Sequence, residues 1–597
     1  MCGIVGFVGQ GKVSQVLLNG LEKLEYRGYD SAGVYLMDDQ GHAQLFKCQG
    51  RIEKLKQLVD KSFEATMGIG HTRWATHGPA VAYNAHPHLS PQGRFAIVHN
   101  GVIENFQELK AKLIAKDQLK SDTDTEVIVA LIEQYVLQGE STWQAFGNVL
   151  QEIKGSYAFG LMDQKDPSTL YAAKNKSPLL IGLGQGFNLI TSDAMATIDL
   201  THDYLEIKDG DLVRLMADEV KVETLAGEEV SRSIFKAEFD AEDLGKGGYP
   251  HYMAKEIAEQ PAVIRRNLQA YLNESGGYQF DSGLLQAMRA SDRLYIVACG
   301  TSYHAGLIGK EVFESLTQIP VEVHIASEFS YHLPLLSERP FFIFISQSGE
   351  TADSRQALVK VKELNLPSLA ITNVKGSTLA RESTYQVSLN AGVEIAVAST
   401  KAYIAQVTVL ILLAAAIAEA SPADFAQQLS LAGQAIEAVL SEQETIHQWV
   451  QTMLSQADRA FYIGRYLDER VAREAALKLK EISYIQTEAF AAGELKHGTI
   501  ALIEEGTPVV ALVSDPATAY QTLSNLQEVK ARGARTLVIT TEELSQGEDE
   551  FIIPNVPVQF APLVLAVVGQ LIAYYATLDR GLDIDKPRNL AKSVTVE

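Results

Sequence analysis

Over the first 235 or so residues, short β-like runs at 2–8, 33–37, 95–99, 157–162 and 189–192 are separated by Gly, Asn and Asp. Helical spacing interrupts this pattern twice, at 14–24 and 124–137. Many strands with few helices predict a layered α/β or α+β domain, not a doubly wound one. A polar stretch at 240–248 breaks the pattern and is read as the first domain boundary. After a helical segment around 251–272, buried strand, turn and helix alternate regularly, which predicts a parallel sheet flanked by helices. Its strands are expected at 294–298, 321–326, 341–345, 369–372 and 385–389, and a second, similarly spaced set at 461–463, 508–513 and 536–540. Laying Tyr295 over Tyr462 brings Ala326-Ser327-Glu328 within one gap of Ala492-Gly493-Glu494, so an internal duplication is expected. The longest apolar run, 409–418, stops at Glu419; it is too short to cross a bilayer and is read as a buried core helix.

Charge and cysteine content narrow the function classes. Lys and Arg number 51 against 74 Asp and Glu, a formal charge of −23, with no basic run of four. Such a surface repels phosphate backbones and anionic lipid, so neither nucleic acid nor a membrane is expected as a partner. The three cysteines, Cys2, Cys48 and Cys299, give no disulfide framework, and the N-terminus has no basic segment of the kind that opens a signal peptide. A reducing, cytoplasmic location is therefore expected. His71, His77, His86, His88 and His99 have no Cys or carboxylate partners at ligand spacing, so neither a metal nor another cofactor is expected.

Cys2 is the position richest in chemistry. Initiator Met is usually removed before a small second residue, which would leave the thiol beside a free α-amine able to serve as its base at neutral pH. Cys2 could equally be a small residue opening a strand. In the second half, the apolar run 341–345 ends in Ser346-Gln347-Ser348-Gly349-Glu350-Thr351, and a helix is expected to follow from Ala352. Backbone N–H groups at a helix N-terminus favour phosphate, although ordinary N-capping by Ser or Thr fits one such turn as well. Cys299-Gly300-Thr301-Ser302 and Ala398-Ser399-Thr400-Lys401 are further hydroxyl turns, and three at strand ends predict one crevice. None has the spacing of a dinucleotide or P-loop site, so a small phosphorylated ligand fits better than a nucleotide.

Taken together, Cys2-Gly3-Ile4-Val5-Gly6, the blocks at 24–33, 71–78 and 99–105, and Ser121-Asp122-Thr123-Asp124-Thr125-Glu126 resemble the N-terminal-nucleophile glutaminase domain of class II glutamine amidotransferases. That resemblance implies an αββα sandwich with two antiparallel sheets. It implies Cys2 as nucleophile, Arg73 on the glutamine α-carboxylate and Asp124 on the α-ammonium. Asn100 and the Gly101 N–H would form the oxyanion hole, and Trp74, Thr76 and His77 would line the pocket, with Trp74 gating a path for ammonia.

The duplicated half resembles paired sugar-isomerase (SIS) domains, which bind phosphosugars; further matching blocks lie at 474–484, 491–498 and 586–597. The implied fold is two flavodoxin-like, Rossmann-like parallel αβα domains. Expected boundaries are 1–235 for the glutaminase, 236–280 for a linker and leading helix, 281–420 and 451–586 for the SIS domains, 421–450 for a connecting helix and 587–597 for a catalytic tail. By resemblance, Thr301, Ser302, Ser346, Gln347, Ser348 and Thr351 would hold the sugar phosphate, with Val397, Ser399 and Ala591 against the sugar. Lys592 would form an imine at sugar C2, its pKa depressed by desolvation or by a nearby cation, for which Lys478 is the candidate neighbour. Glu481 would move the proton between C1 and C2, and His497, supplied in such enzymes by the partner subunit of a homodimer, would assist ring opening. Gln486-Thr487 stand where some relatives have His-Ala. The implied reaction transfers the amide nitrogen of glutamine to fructose 6-phosphate with isomerisation, giving glucosamine 6-phosphate and glutamate. Rivals are an amidotransferase acting on phosphoribosyl pyrophosphate, for which the expected acidic loop is missing, a deglycase, and a non-catalytic phosphosugar sensor.

Overall fold

The computed structural model describes residues 2–75, 77–237, 245–273, 276–547 and 550–595. The expected site residue Thr76, most of the polar boundary stretch and the last two residues of the tail lie outside them. Two units form, one built on residues 1–245 and one on residues 246–592.

In the first unit, alternating side chains bury both faces of its central strands, so each of two antiparallel sheets must be covered twice. One sheet runs Ile234–Lys236, Asp203–Glu206, Leu180–Leu183, Phe187–Thr191, Gly3–Gly9, Met67–Arg73, Ser31–Met37, Ala43–Gln49. The other runs Val220–Thr224, Asp211–Leu215, Asp166–Asn175, Gly155–Asp163, Phe95–Ile103, His88–Leu89. Ile4, Val8, Ile69 and Ile190 of the first meet Ala96, Val98, Met162 and Leu170 of the second in one apolar layer. Outside the second sheet, Asp124–Leu137 and Thr142–Glu152 cover Ile97 and Phe159. The helix Val13–Lys23 covers the first sheet where the strand Met67–Arg73 carries Gly68 and Gly70, whose missing side chains admit Leu17 and Leu21. The result is the expected αββα sandwich.

The second unit carries two five-stranded parallel sheets. The first has the order Val321–Ile325, Arg293–Ala298, Pro340–Ser346, Ser368–Thr372, Tyr385–Ser388. The second repeats that order with Gln486–Ala491, Arg459–Gly464, Pro508–Val513, Arg535–Thr541, Glu550–Ile553. This is the flavodoxin-like 2-1-3-4-5 arrangement, twice. A single apolar core joins them, containing Ile296 and Ile343 of one sheet, Tyr462 and Val510 of the other, and helices between. Met253, Ile257, Val263 and Ile264, from the stretch expected as linker and leading helix, belong to that core. The expected connecting helix is two helices, Pro422–Ser441 and Gln443–Met453, interrupted at Glu442. The helix Lys401–Ile417 is buried at every position, as expected of its apolar run. Among the described residues one helix, Ala561–Asp579, is long and apolar enough to cross a membrane, and 89% of its most apolar window is buried inside the unit.

A Cβ at Gly70 would lie 2.8 Å from Leu21 Cδ1 and 3.1 Å from Val34 Cγ1, so a larger residue forces helix and sheet apart. We expect Gly70→Val to destabilise the first unit by roughly 1–3 kcal/mol. A lower urea midpoint for that unit's transition checks this; an unchanged midpoint contradicts it.

Candidate active site

Cys2 immediately precedes the strand Gly3–Gly9, whose neighbour Met67–Arg73 runs antiparallel with Gly3 opposite Thr72. The Gly3 N–H donates to Thr72 Oγ1 at 3.1 Å. This pairing brings Arg73 and Trp74 beside the thiol. Cys2 Sγ accepts from the Trp74 N–H at 3.2 Å and the thiol donates to the Trp74 carbonyl at 3.5 Å. From the other sheet, Asn100 Nδ2 donates to the Cys2 carbonyl at 3.0 Å. Gly101 follows with φ +140°, and a Cβ there would lie 2.1 Å from the Ser156 carbonyl oxygen, so only glycine fits.

Arg73 is 2% exposed, and its guanidinium donates to the carbonyls of Pro79 at 3.2 Å, Gly78 at 3.3 Å and His77. Asp124, the first residue of its helix, accepts the Ile103 N–H at 2.8 Å. Cys2, Arg73, Trp74, His77, Gly101 and Asp124 all line one cavity. An arginine and an aspartate on one cavity suit the opposite charges of a free amino acid. Burial raises the Cys2 thiol above its ordinary value, and the Trp74 N–H and Arg73 oppose the rise only in part. The thiol therefore needs a base.

A group of histidines gathers at this site. His71 Nε2 donates to the His99 carbonyl at 2.9 Å and to Asn100 Oδ1 at 3.0 Å, which turns the Asn100 amide donor toward Cys2. Burial pushes His71 down to about 3, so it is neutral at working pH. His71 stacks on His86 with centroids 4.2 Å apart, and burial likewise holds His86 and His88 well below their ordinary value. These rings pack and orient.

In the second unit, the expected phosphate turns stand at the ends of adjacent parallel strands, Arg293–Ala298 and Pro340–Ser346. Ser346 Oγ accepts the Gly349 N–H at 3.0 Å and lies 2.9 Å from Thr351 Oγ1. Ser348 Oγ accepts the Glu350 N–H at 3.2 Å, and the Gln347 carbonyl accepts the Asn373 N–H at 3.0 Å. Gly349 has φ +67°, and a Cβ there would overlap Ser377 Oγ at 1.9 Å. On the adjoining turn, Ser302 Oγ accepts from Gln406 Nε2 at 2.9 Å.

Thr301 leads into a buried charge network. Glu474, Lys478 and Glu481 fall on one face of the helix Leu467–Ser483, and Lys478 Nζ lies 3.4 Å from Glu474 and 2.6 Å from Glu481. It also donates to Thr301 Oγ1 at 2.9 Å, while Glu474 accepts from the Thr301 hydroxyl at 3.0 Å and from His304 Nδ1 at 2.7 Å. Burial works against the Lys478 charge, but the carboxylates outweigh it and raise the ammonium above its ordinary value. Lys478 thus remains a cation.

Lys592 is equally buried. Its Nζ pairs with Glu394 and donates to Ser399 Oγ at 3.1 Å, the two paired side chains being 2% and 0% exposed. Glu394 also accepts from the Ser399 hydroxyl at 3.2 Å, the Thr400 N–H at 2.9 Å and the Ala402 N–H at 3.0 Å. Burial alone would raise this carboxyl; the Lys592 ammonium and these donors outweigh it and hold it below its ordinary value. Glu394 is thus the ion-pair partner of Lys592, while Lys478 is fixed between the carboxylates four residues before and three after it. The Val397 N–H donates to the Asp585 carbonyl at 3.0 Å, and Ala591 is half-buried next to Lys592. His497 sits exposed on a short turn, Leu495–His497, and its ring has no hydrogen-bond partner among the described residues.

Sequence reasoning had assigned no role to Glu394 or Glu474. The spacing of Glu474, Lys478 and Glu481 could have revealed the second; nothing in the local pattern marks the first.

The duplicate crevice differs. Overlaying Tyr295 on Tyr462, and its strand partner Phe342 on Val510, sets Thr301 on Asp468, Ser346 on Ser514 and Gln347 on Asp515. Asp468 is buried and accepts both the Ser514 hydroxyl and, at 2.9 Å, the Ser514 N–H. A carboxylate fills this crevice, where it would repel phosphate.

The chain matches family models for the glutamine amidotransferase domain over residues 71–198 and for the SIS domain over residues 287–416 and 453–580. A glutamine amidotransferase domain joined to two SIS domains defines the class of protein. Over its full length and theirs, the chain is 55% identical to the glutamine–fructose-6-phosphate aminotransferases [isomerizing] of Oceanobacillus iheyensis and Geobacillus kaustophilus. The solved C-terminal domain of glucosamine-fructose-6-phosphate aminotransferase from Francisella tularensis superposes with a TM-score of 0.55 at 36% identity, covering 57% of this chain and 99% of that one. The chain belongs to the glutamine–fructose-6-phosphate aminotransferase (isomerizing) family.

Burial raises the Asp468 carboxyl to about 6, above the 3.8 of an ordinary one, so the folded state holds this proton more tightly than the unfolded chain. Its contribution to stability is present below the unfolded value and is lost as pH rises through about 6. We expect Asp468→Asn to gain on the order of 2–3 kcal/mol over the wild type between pH 4 and pH 7. Denaturation midpoints of both proteins across that range check it; a pH-independent difference contradicts it.

Proposed function

We propose that this chain hydrolyses glutamine at Cys2 and passes the ammonia to fructose 6-phosphate, giving glutamate and glucosamine 6-phosphate. The observation that carries the reading is the convergence of Cys2, Arg73 and Asp124 on one cavity. Removal of Met1 would supply an α-amine to take the thiol proton, compensating for the burial that raises it. The thiolate then attacks the amide carbon. Asn100 Nδ2 and the Gly101 N–H donate to the oxyanion, ammonia leaves, and water hydrolyses the thioester. The glutamine carboxylate binds the Arg73 guanidinium, and Asp124 takes its ammonium.

In the second unit, Ser346, Gln347, Ser348 and Thr351, with Thr301 and Ser302, hold the phosphate at a helix N-terminus. Lys592 forms an imine with C2 of the open sugar, ammonia replaces the lysine, and Glu481 moves a proton from C1 to C2. Lys478 is too firmly cationic to act as a base and serves to hold Glu481 and Thr301. His497, exposed and without a ring partner among the described residues, fits the reading that it assists ring opening in a second copy, and we take the active unit to be a homodimer. Three free thiols agree with a cytoplasmic location.

The test is incubation with amide-¹⁵N glutamine and fructose 6-phosphate in unlabelled ammonium buffer. Labelled glucosamine 6-phosphate is expected, and its loss in Cys2→Ala; glutamate without amino sugar would overturn the acceptor, and label retained in Cys2→Ala the nucleophile. Trp74, whose indole lies edge-on to Tyr29 at 6.4 Å, is our candidate gate for ammonia. Trp74→Ala should keep glutaminase activity while lowering glucosamine 6-phosphate formed per glutamate; an unchanged ratio removes the gate.

A further inference from the structure

Glu256 lies on the helix Tyr252–Ala258, in the stretch that reads as linker, and it is 2% exposed. Its Oε1 accepts the N–H groups of Ile395 at 2.5 Å and Ala396 at 3.1 Å. These residues directly follow Glu394 and precede Val397 and Ser399, so one carboxyl oxygen fixes the loop that presents the partner of Lys592. The other oxygen, Oε2, is buried with no hydrogen-bond partner among the described residues. A carboxylate oxygen so placed is costly unless it carries a proton or answers a nearby cation.

The charges around it are few. Glu394 and Lys401 approach from the 394–417 segment and Lys592 from the chain end. Lys401 is paired with Glu259, and Asp585 accepts the N–H groups of Tyr252 and Met253 at the start of Glu256's own helix. Lys255, on Glu256's own helix, lies 3.7 Å from Glu259, Lys401 pairs with Glu259 and Lys592 with Glu394, so each nearby cation is already engaged by another carboxylate when Glu256 ionises. Burial, then repulsion from Glu394, raises the Glu256 carboxyl to about 8.

We infer that Glu256 is a positioning residue of the imine step, anchoring the Glu394 loop and, through its own proton, setting how firmly Lys592 is held as an ammonium. The inference rests on the reading of Lys592 as the imine-forming lysine. In that step Lys592 gives a proton to Glu394 and the neutral amine attacks C2. One proton passes from nitrogen to oxygen, Glu394 returns the other, water leaves and the iminium keeps the positive charge. While Glu256 is neutral, Lys592 faces one carboxylate; once it ionises, a second negative charge stabilises the ammonium and the free amine becomes scarcer. Imine formation therefore falls on the alkaline side, where an ordinary amine grows more reactive.

The experiment traps the imine with cyanoborohydride and fructose 6-phosphate at pH 6–9.5 in the full-length enzyme and its Glu256→Gln variant, with the modified lysine mapped by mass spectrometry. Glutaminase activity at Cys2 serves as the folding control. In the wild type, trapping at Lys592 is expected to fall about tenfold between the neutral plateau and pH 9, as one group titrating near 8 requires. In Glu256→Gln the alkaline fall should disappear, whereas a merely structural role would lower the rate evenly at all pH values. A wild-type profile without that fall, or the same fall in Glu256→Gln, overturns the inference. Trapping at a lysine other than Lys592, or none at any pH, overturns instead the reading on which it rests.

Discussion

Glu394 has no exposed side-chain surface, and the second unit's hold on Lys592 depends on that carboxylate. A lysine five residues from a chain end would ordinarily be solvated. Here it is held inside by Glu394, which the Thr400 and Ala402 N–H groups fix at the start of the helix Lys401–Ile417. Those donors carry the positive end of a 17-residue helix that is buried along its whole length, so the carboxylate is stabilised where water cannot reach it. The hydroxyl of Ser399 bridges the pair, bonding to both charges. Removing either ion would leave the other buried and uncompensated, which typically costs about 3–5 kcal/mol. Core packing, loop geometry and chemistry thus converge on one ion pair.

Much of this architecture was legible in the sequence, for identifiable reasons. Strands buried on both faces are continuous apolar runs, and 341–345 or 508–513 can hardly be anything else. The strands that escaped notice in the duplicated half, Gln486–Ala491 and Glu550–Ile553, are the two edges of its sheet. An edge strand alternates polar and apolar residues weakly and has no turn signature of its own. In the first unit, Met67–Arg73 escaped because Gly68 and Gly70, which create the seat for a helix, remove the hydrophobic pattern by which a strand is recognised. The helix Thr142–Glu152 was missed despite a Ser141 capping box and Ala145, Phe146, Val149 and Leu150 buried at helical spacing.

The sites were legible to a different degree. Residues contributed by short motifs, such as Cys2, Arg73, Asn100 and the 346–351 turn, could be named because each motif is local. Their supports could not. His71 orients Asn100 from an adjoining strand of the other sheet, Gln406 bonds Ser302 from more than one hundred residues away, and Glu256 reaches its loop from a supposed linker. Such pairings follow from tertiary contact between residues whose local patterns say nothing of each other. Lys478 is the exception whose partners were close in sequence, for its own helix supplies two carboxylates at neighbouring turns.

The two SIS copies also show how a duplicated fold comes to divide its work. Both keep the same strand order, so both have a crevice at the switch point between their first and third strands. In the first copy that crevice is lined by Ser346 and Thr351, neutral hydroxyls at a helix N-terminus. In the second, Asp468 bonds Ser514 at the equivalent place and seals it. The second copy contributes in another way. The helix that carries Asp468 in its first turn presents Glu474 to the first copy, where it bonds Thr301 and His304. One helix therefore closes a crevice in its own domain and completes the charge network in its neighbour. Separating the copies would leave Glu474 and Lys478 without Thr301 and His304, so the pair is bound together by the polar groups it buries as well as by its apolar core.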